Sequence, residues 1–413
     1  MKNKTEKYIP DNKILRKYAD LLVNFALGGG RGIKKGDVVY LVSYENSKPL
    51  MVEVRRVILK AGGHIINSFR PDNEPGNSRY NLSRDFYLLA QDHQLDFFPS
   101  KYLRGLIDQA DHMLYIDSET DKQALKGIKP KKIIRTSIAY KPFMDWRDEK
   151  ENKGKFTWVI GLYGTFAMAK EAGLSLKDYW NQIIKACYLD KKDPIKEWRA
   201  ITAKVEAYRR KLTALKIDKV HVKGPDADLW VKIGDKRKWA GGGGRNIPSF
   251  EIFTSPDWRG TNGWIKFNQP LYSHGNLITG IELEFKNGKV VKAKAKKNEK
   301  LLKEMIKSKG GNAIGEFSLT DKRFSRITKF MAETLFDENI GGPNGNTHIA
   351  LGKAYQECYD GNINKMKKRD WKKLGFNDSV IHSDIISTAS RIVTAYLKNG
   401  SRRIIYKNGQ FVL

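Results

Sequence analysis

The sequence predicts an α/β N-terminal domain with an open sheet, followed by a strand-rich α+β domain. Helical and strand-like apolar segments alternate through the first half, which is typical of an open α/β sheet. Short strand-like segments with Gly or Asn at their joints fill most of the second half. A chain of 413 residues is too long for one ordinary core. We therefore expect a first domain at residues 1–210 and a second domain at 211–413.

The elements of the first half follow from the spacing of apolar residues. Residues 14–25 have helical spacing, and Gly28-Gly29-Gly30 ends that helix. Further helices are predicted at 48–61, 174–189 and 194–215, and strands at 37–43, 64–68, 111–116 and 158–162. The last of these helices is expected to end the first domain near residue 210.

The elements of the second half are mostly strands joined by tight turns. Asn287-Gly288 lies between two of them and is typical of a type I′ hairpin turn, and Asn408-Gly409 predicts a similar hairpin within 403–413. Helices are predicted at 298–308 and 325–336. Strands are predicted at 218–223, 227–234, 249–254, 263–267, 280–286 and 289–293.

The charge of the chain is strongly positive. Lysine and arginine outnumber aspartate and glutamate by 76 to 46, which gives a formal net charge of +30. Such a charge is compatible with nucleic-acid binding. The lysines are spread over the whole length, however, and no helix-turn-helix, zinc-finger or RNA-recognition signature accompanies them. Solvated lysine-rich faces are the favoured interpretation and a nucleic-acid partner is not expected, but a basic nucleic-acid-binding protein stays open as an alternative.

The sequence favours a cytoplasmic location. Its N-terminus has no apolar segment typical of a secretory signal, and no stretch approaches the roughly 20 apolar residues that span a bilayer. Cys187 and Cys358 are the only cysteines, so neither a disulfide framework nor a paired-cysteine zinc site is expected. A reducing compartment fits best, without a membrane partner.

The last third of the chain carries acids and histidines that suit a divalent cation. His382 and Asp384 are two positions apart, so on a strand both side chains point to the same face. Imidazole together with several carboxylates is a typical ligand set for a divalent metal, which predicts a metal-dependent hydrolase. The residues of interest are Glu251, Glu316, Glu338, His348, His382 and Asp384.

Three of these acids stand in contexts that invite an explanation. Glu251 has apolar neighbours on both sides, where a bound cation would offset the cost of burying its charge, although an edge-strand glutamate facing water fits equally. Glu316 lies in an apolar strand after Gly315, which permits a close approach to the backbone. Glu338 follows a predicted helix, where a carboxylate opposes the helix dipole, although surface acids are common there.

Other motifs bear on which classes of enzyme the sequence allows. A lone histidine such as His348 among apolar residues is more often a core residue than a ligand. The run 241–244 (GGGG) lacks the Gly-Lys-Ser/Thr ending of a phosphate loop, so a turn leading to Glu251 is the better interpretation. The metalloprotease motif HExxH and the serine-hydrolase motif GxSxG are both absent.

Six separated segments occur in one order along the second half. They are RKWAGGGGRNIP leading to EIFTSPD, then NG with KF and PL, then IGEF, TLFDENIGG, THIALGKAY and HSD. Taken in this order, residues 221–384 resemble the thermophilic-type metalloaminopeptidases, the aminopeptidase T/aminopeptidase S family. The first domain is similar more loosely, at 34–39 and 163–173. Ser249-Phe250 departs from the family, which usually has a more polar Asp-Gly pair there.

The resemblance implies a two-metal exopeptidase that hydrolyses the N-terminal peptide bond of short peptides with an activated water. It implies that Glu316 bridges the metals or acts as general base, and that Tyr355 is a catalytic phenol beside the scissile carbonyl. It further implies two ions of zinc, cobalt or manganese per subunit, and a homodimer. The implied metal ligands are Glu251, Glu316, Glu338, His348, His382 and Asp384. A metallohydrolase acting on a different amide, or on a phosphoester, is the alternative within the same chemistry.

Overall fold

The structure is a computed structural model, which describes residues 8–73, 81–273 and 275–413. It divides into two compact units. The first contains residues 1–202, 243–249 and 331–333, and the second contains 203–242, 250–330 and 334–413. The boundary predicted near residue 210 falls in the same long helix as the division at residue 202. Two short segments from later in the chain, 243–249 and 331–333, also belong to the first unit, so a single boundary cannot describe the division.

Helices α1 to α14 follow the chain in order, and a single π turn, Leu22–Ala26, extends α1. The helices are Asn12–Leu21, Leu27–Gly30, Lys48–Lys60, Leu82–Leu89, Asp92–Leu95, Ser100–Gln109, Pro130–Ala139, Lys141–Asn152, Phe166–Glu171, Leu176–Ala186, Pro194–Ala214, Glu299–Lys307, Thr334–Asp337 and Lys368–Lys373. Among the described residues, no helix has the length and apolar character needed to cross a bilayer.

Strands β1 to β19 are also numbered along the chain. They are Val38–Tyr44, His64–Arg70, His112–Asp117, Thr157–Leu162, Ile217–Gly224, Ala227–Lys232, Asn246–Ile247, Glu251–Thr254, Asn262–Lys266, Leu271–Ser273, Asn276–Ile278, Glu282–Lys286, Lys289–Lys294, Ile314–Thr320, Asn346–Gly352, His382–Ser387, Ile392–Leu397, Arg402–Lys407 and Gln410–Phe411.

The first unit is the predicted α/β domain. Its five strands lie in the order β2-β1-β3-β4-β7, and every neighbouring pair is parallel. The central residues of β1 are buried on both faces, as expected for a parallel sheet covered by helices. The helix predicted at 14–25 forms as α1 and its π turn, and Gly28 and Gly29 then adopt left-handed backbone angles that end it.

The second unit is strand-rich, as predicted. An eight-stranded sheet has the order β13-β12-β9-β6-β5-β17-β18-β19, a four-stranded sheet has the order β16-β15-β14-β8, and β10 pairs with β11. All of these pairings are antiparallel. Both hairpin turns predicted from Asn-Gly form, with positive φ at Asn287, Gly288, Asn408 and Gly409.

The predicted helix at 325–336 is wrong. Only its last residues are helical, as the single turn α13 (Thr334–Asp337). The Ser325 hydroxyl donates to the Asn339 carbonyl and accepts from the Ile327 amide, which gives the backbone partners outside a helix. Ala332 has a φ of 53°, a left-handed conformation that breaks a regular right-handed α-helix. Apolar spacing alone could not reveal these local hydrogen bonds.

Candidate metal centre

One face of the four-stranded sheet carries most of the predicted site. Glu316 on β14 lies opposite Ala350 on β15, and Ala350 lies opposite Asp384 on β16. Residues directly opposite each other in an antiparallel pair share a face. The small side chain of Ala350 therefore leaves room between the two carboxylates. Gly352, which lies opposite His382, likewise has no side chain to occupy this face.

The neighbouring positions on the same face bring in two more residues. His348 on β15 lies opposite Ser318, two positions after Glu316 on β14. Glu251, the first residue of β8, lies opposite Thr320 on β14. The hydroxyl of Ser318 donates a hydrogen bond of 2.8 Å to Oε2 of Glu251 and holds that carboxylate towards the middle of the face.

The sixth candidate enters from outside the sheet. Glu338 immediately follows α13 and is buried. The side-chain nitrogen Nδ2 of Asn339 lies 3.4 Å from Oε1 of Glu338. The side-chain oxygen Oδ1 of Asn339 accepts a hydrogen bond of 2.6 Å from the backbone N–H of Phe250. Asn339 is fully buried and thus ties Glu338 to the segment that begins β8.

All six predicted ligands come together. They form three groups in which one ligand atom from each residue lies within 4.8 Å of the others. Glu316, His348 and Asp384 each belong to two groups, so the groups form one continuous cluster. The groups are Glu251 with Glu316 and His348, Glu316 with His382 and Asp384, and Glu338 with His348 and Asp384.

Glu316 is central to this arrangement. Its Oε1 lies 3.2 Å from Nε2 of His348, while its Oε2 lies 3.6 Å from Nε2 of His382. The same His348 nitrogen is 3.2 Å from Oε2 of Glu251, and the His382 nitrogen is 3.3 Å from Oδ1 of Asp384. Each oxygen of one carboxylate therefore faces a different histidine.

The orientation of His382 is fixed from behind. Its Nδ1 lies 2.8 Å from the carbonyl oxygen of Lys353, which can only accept, so Nδ1 carries a proton and donates it. Nε2 is left to face the acids, the arrangement usual for a metal-binding histidine. Gly315 makes this possible, since a Cβ there would lie 2.3 Å from the same Lys353 oxygen. The close backbone approach predicted from Gly315 is confirmed.

Tyr355 stands beside the cluster, three residues after β15. Its ring centroid is 4.7 Å from that of His382 and 5.7 Å from that of Phe253. Its backbone N–H donates to the Ser255 hydroxyl at 2.8 Å, which anchors the residue. Burial raises the pKa of its phenol well above the ordinary value, and the nearby carboxylates act in the same direction. The phenol therefore stays protonated and available as a donor.

The donor set fits divalent cations. Mixed carboxylate oxygen and imidazole nitrogen ligands suit divalent cations such as zinc, which they bind at about 2.0–2.2 Å. Two ligands of one such ion are at most about 4.4 Å apart, close to the spacing within each group. Burial raises the pKa of Glu316 to about 7, assisted by the Glu251 and Asp384 carboxylates. Crowded, buried acids of this kind are stabilised by a shared positive charge.

In both histidines, burial and the neighbouring acids shift the pKa in opposite directions. Burial lowers the pKa of His348, but its hydrogen bonds to Glu251 and Glu316 outweigh burial and raise it to about 10. The pKa of His382 is raised to about 9, because the Asp384 carboxylate likewise outweighs burial. Both imidazoles are therefore protonated at neutral pH in the metal-free protein.

Metal binding is consequently expected to release protons. Each Nε2 must lose its proton to coordinate a cation, so the affinity should rise as the pH rises towards about 9–10. Calorimetric titration of the metal-free protein with Mn²⁺, in buffers of different ionisation enthalpy, measures this release. A His382→Ala variant should release about one proton fewer. An affinity that does not change between about pH 6 and pH 8, with no proton release, would contradict the expectation.

Sequence reasoning missed three groups that position the ligands: the Ser318 hydroxyl, the Asn339 amide and the Lys353 carbonyl. Ser318 had a usable signal, because strand alternation places it on the face of Glu316. Asn339 had none, since its contact with Phe250 spans 89 residues. The Lys353 contact depends on the backbone path after β15.

Comparisons with known proteins point to a family of metalloproteases. The model of the thermophilic metalloprotease (M29) family matches residues 11–411. Aminopeptidase PepS of Streptococcus thermophilus is 26% identical over 97% of this chain and 98% of its own length. Aminopeptidase T of Thermus thermophilus is 27% identical over 95% of this chain and 98% of its own length.

A solved structure shows the same fold. Wild-type AmpT from Thermus thermophilus superposes with a TM-score of 0.79 and 25% identity, covering 97% of this chain and 99% of that one. The predicted α/β domain followed by a strand-rich domain is thereby confirmed, as is the resemblance that predicted a metalloaminopeptidase. Because the family model covers nearly the whole chain, this protein belongs to the thermophilic metalloprotease (M29) family.

Proposed function

We propose that the protein is a two-metal aminopeptidase that removes the N-terminal residue of short peptides. The observation that best supports this is the position of Glu316, whose two oxygens face different histidines and can therefore contact two cations. The proposed metal ligands are Glu251, Glu316, Glu338, His348, His382 and Asp384.

A pair of divalent cations bound there would polarise the scissile carbonyl and lower the pKa of a water towards about 7. The residues of the chain would transfer the protons and bind the substrate. Glu316 is buried at the centre of the cluster, and in its alternative proposed role, as general base rather than bridging ligand, it takes a proton from the attacking water and passes it to the leaving amine. The acids around it also suit the positively charged α-amine of a substrate.

Tyr355 is the proposed donor to the oxygen of the tetrahedral intermediate. Its phenol stays protonated, because burial and the surrounding carboxylates both raise its pKa. Its ring lies next to His382, at the edge of the cluster where a carbonyl could bind. A donor positioned in advance stabilises the transition state without reorganisation during the reaction.

Further parts of the proposal depend on the family resemblance. They are a preference for short peptides, zinc, cobalt or manganese as the metal, and a homodimeric assembly. A cytoplasmic location is proposed because Cys187 and Cys358 are both free thiols.

The proposed function is tested with leucine and arginine p-nitroanilides and their N-acetylated counterparts. We expect the metal-loaded protein to hydrolyse the free amines and to leave the acetylated substrates intact, because acetylation removes the charge that the acids would bind. Chelator-treated protein is the control and should be inactive. Equal rates on acetylated and free substrates would remove the exopeptidase assignment. No hydrolysis of any amide by the metal-loaded protein would refute the peptidase proposal.

A further inference from the structure

The eight-stranded sheet has one buried face and one face turned to solvent. Alternate residues of β5 and β6, such as Val220, Val222, Leu229 and Val231, are fully buried. The residues between them point the other way and are exposed or half-exposed. We call this solvent face, formed by outward-pointing residues of β13, β12, β9, β6, β5, β17 and β18, the outer face.

The outer face gathers basic side chains from distant parts of the sequence. Its acids are Asp228, Glu282 and Glu284, and two of them already have partners: Asp228 contacts His221 at 2.8 Å and Glu282 contacts Lys266 at 3.1 Å. The strand register places the basic residues on the same face. They are Lys219, Lys223, Lys232, Lys266, Lys292, Lys294 and Arg402.

Charge repulsion between two of these lysines destabilises the sheet when no anion is bound. Lys219 and Lys232 lie directly opposite each other on β5 and β6, and both are exposed. Like charges in this position destabilise a sheet. Phosphates bound at the pair, one to each ammonium, would offset that repulsion.

Flat rings lie among the basic residues. The rings of His221 and Trp230 stack with centroids 4.1 Å apart and an angle of 5°, and Tyr396 lies 5.0 Å from Trp230. The Lys219 ammonium is 5.0 Å from the Trp230 ring. Trp264 sits one strand away on the diagonal and is 40% exposed. Beside Trp264 is a cavity of about 330 Å³, whose polar lining comprises Lys266, Lys292, Lys294, Glu282 and Glu284.

We propose that the outer face binds single-stranded nucleic acid. Its ammonium groups complement a phosphate backbone, and the exposed Trp264 ring, together with the half-buried rings of Trp230 and Tyr396, offers a stacking surface to unpaired bases, which is how open sheets bind single strands. From β13 to β18 the face spans six strand intervals, or about 29 Å. That length accommodates a segment of several nucleotides.

The charge pattern distinguishes this partner from a second copy of the chain. A symmetric contact through the outer face would bring the same excess of lysines together from both sides, and like charges oppose such an interface. A strand of nucleic acid brings the opposite charge. Six lysines that look dispersed in the sequence therefore lie on one complementary surface.

The test uses the full chain and a fluorescein-labelled oligodeoxythymidine of about 15 nucleotides, followed by fluorescence anisotropy over a series of KCl concentrations. We expect binding that weakens steeply with salt. The Lys219→Gln/Lys232→Gln variant should reduce the slope of log affinity against log salt by about 1.4, because each phosphate that loses its lysine partner lowers the slope by about 0.7. Trp264→Ala should weaken binding about tenfold through the loss of one stacked base.

Matched controls separate this surface from the general charge of the chain. Lys101→Gln/Lys131→Gln removes the same charge from exposed positions on α6 and α7, and should leave the affinity and slope unchanged. Circular dichroism and melting temperature verify that each variant folds. An abasic oligomer of equal length should bind more weakly than oligodeoxythymidine.

Several results would overturn the proposal. Equal binding of the abasic oligomer would show that charge alone acts, and equal effects of the two double-lysine variants would assign binding to the net charge of +30. Absence of binding at about 50 mM salt would remove the site altogether. Dissociation of an oligomer by Lys219→Gln/Lys232→Gln, seen by analytical ultracentrifugation, would make this face an interface between copies.

Discussion

Replacing Glu316 with glutamine is expected to abolish peptide hydrolysis while the fold survives. Glutamine has the same shape, but one end of its amide donates, so it cannot accept at both positions that face His348 and His382. It also cannot take a proton from water. Loss of this group should reduce kcat by more than the effect of any single hydrogen-bond donor. Steady-state hydrolysis of leucine p-nitroanilide measures the loss.

The stability of the metal-free protein should respond to Glu316→Gln differently from its activity. Glu316 is buried beside Glu251 and Asp384, and the three carboxylates repel one another in the metal-free protein. The glutamine variant removes this repulsion together with the attraction of Glu316 to the protonated His348 and His382, and the two effects oppose each other, so its metal-free melting temperature should stay close to that of the wild type. Catalytic sites commonly contain such unfavourable groups.

The matched control is Glu304→Gln, the same chemical change on α12, where the glutamate forms an ion pair with Lys307. It should leave kcat unchanged. Metal content, determined by plasma mass spectrometry, separates the two roles proposed for Glu316. A reduced content assigns it to metal binding, and an unchanged content with lost turnover assigns it to proton transfer. Normal turnover by Glu316→Gln would exclude it from the mechanism.

Local chemistry made much of the fold predictable. The parallel strands of the first unit appear as continuous apolar runs such as 37–43, and both Asn-Gly turns form with the positive φ that they favour. The helix at 325–336 failed because Ser325 finds hydrogen-bond partners that depend on the position of Asn339, which spacing cannot show. Long-range contacts of this kind are set by the whole fold.

The candidate site was predictable in composition but not in arrangement. The pairing of His382 with Asp384 follows from strand alternation alone. The register that aligns Glu316, Ala350 and Asp384 across three strands does not, because it depends on the bulge beside Gly315 and on the backbone that packs there. Dispersed lysines likewise became one surface only when the strands of the large sheet were ordered.

Replacing Tyr355 with phenylalanine is expected to keep the metals bound and to lose most of kcat. The ring remains packed against His382 and Phe253, so the fold and the ligand positions should persist. Only the hydroxyl donor disappears. Removal of one donor to a developing oxyanion typically costs about 10²–10³ in rate. Because the proposed contact forms in the transition state, KM should change little while kcat falls.

Tyr359→Phe is the control for this change, four residues further along in the same aromatic cluster, where the tyrosine packs against Trp371. It should retain full activity. If Tyr355→Phe raises KM and leaves kcat intact, the phenol binds the substrate equally in the ground and transition states. If both kcat and KM stay unchanged, the Tyr355 hydroxyl takes no part in substrate binding or catalysis. A fall in kcat limited to Tyr355→Phe would leave the hydroxyl as the group that stabilises the oxyanion, because packing is conserved in both variants.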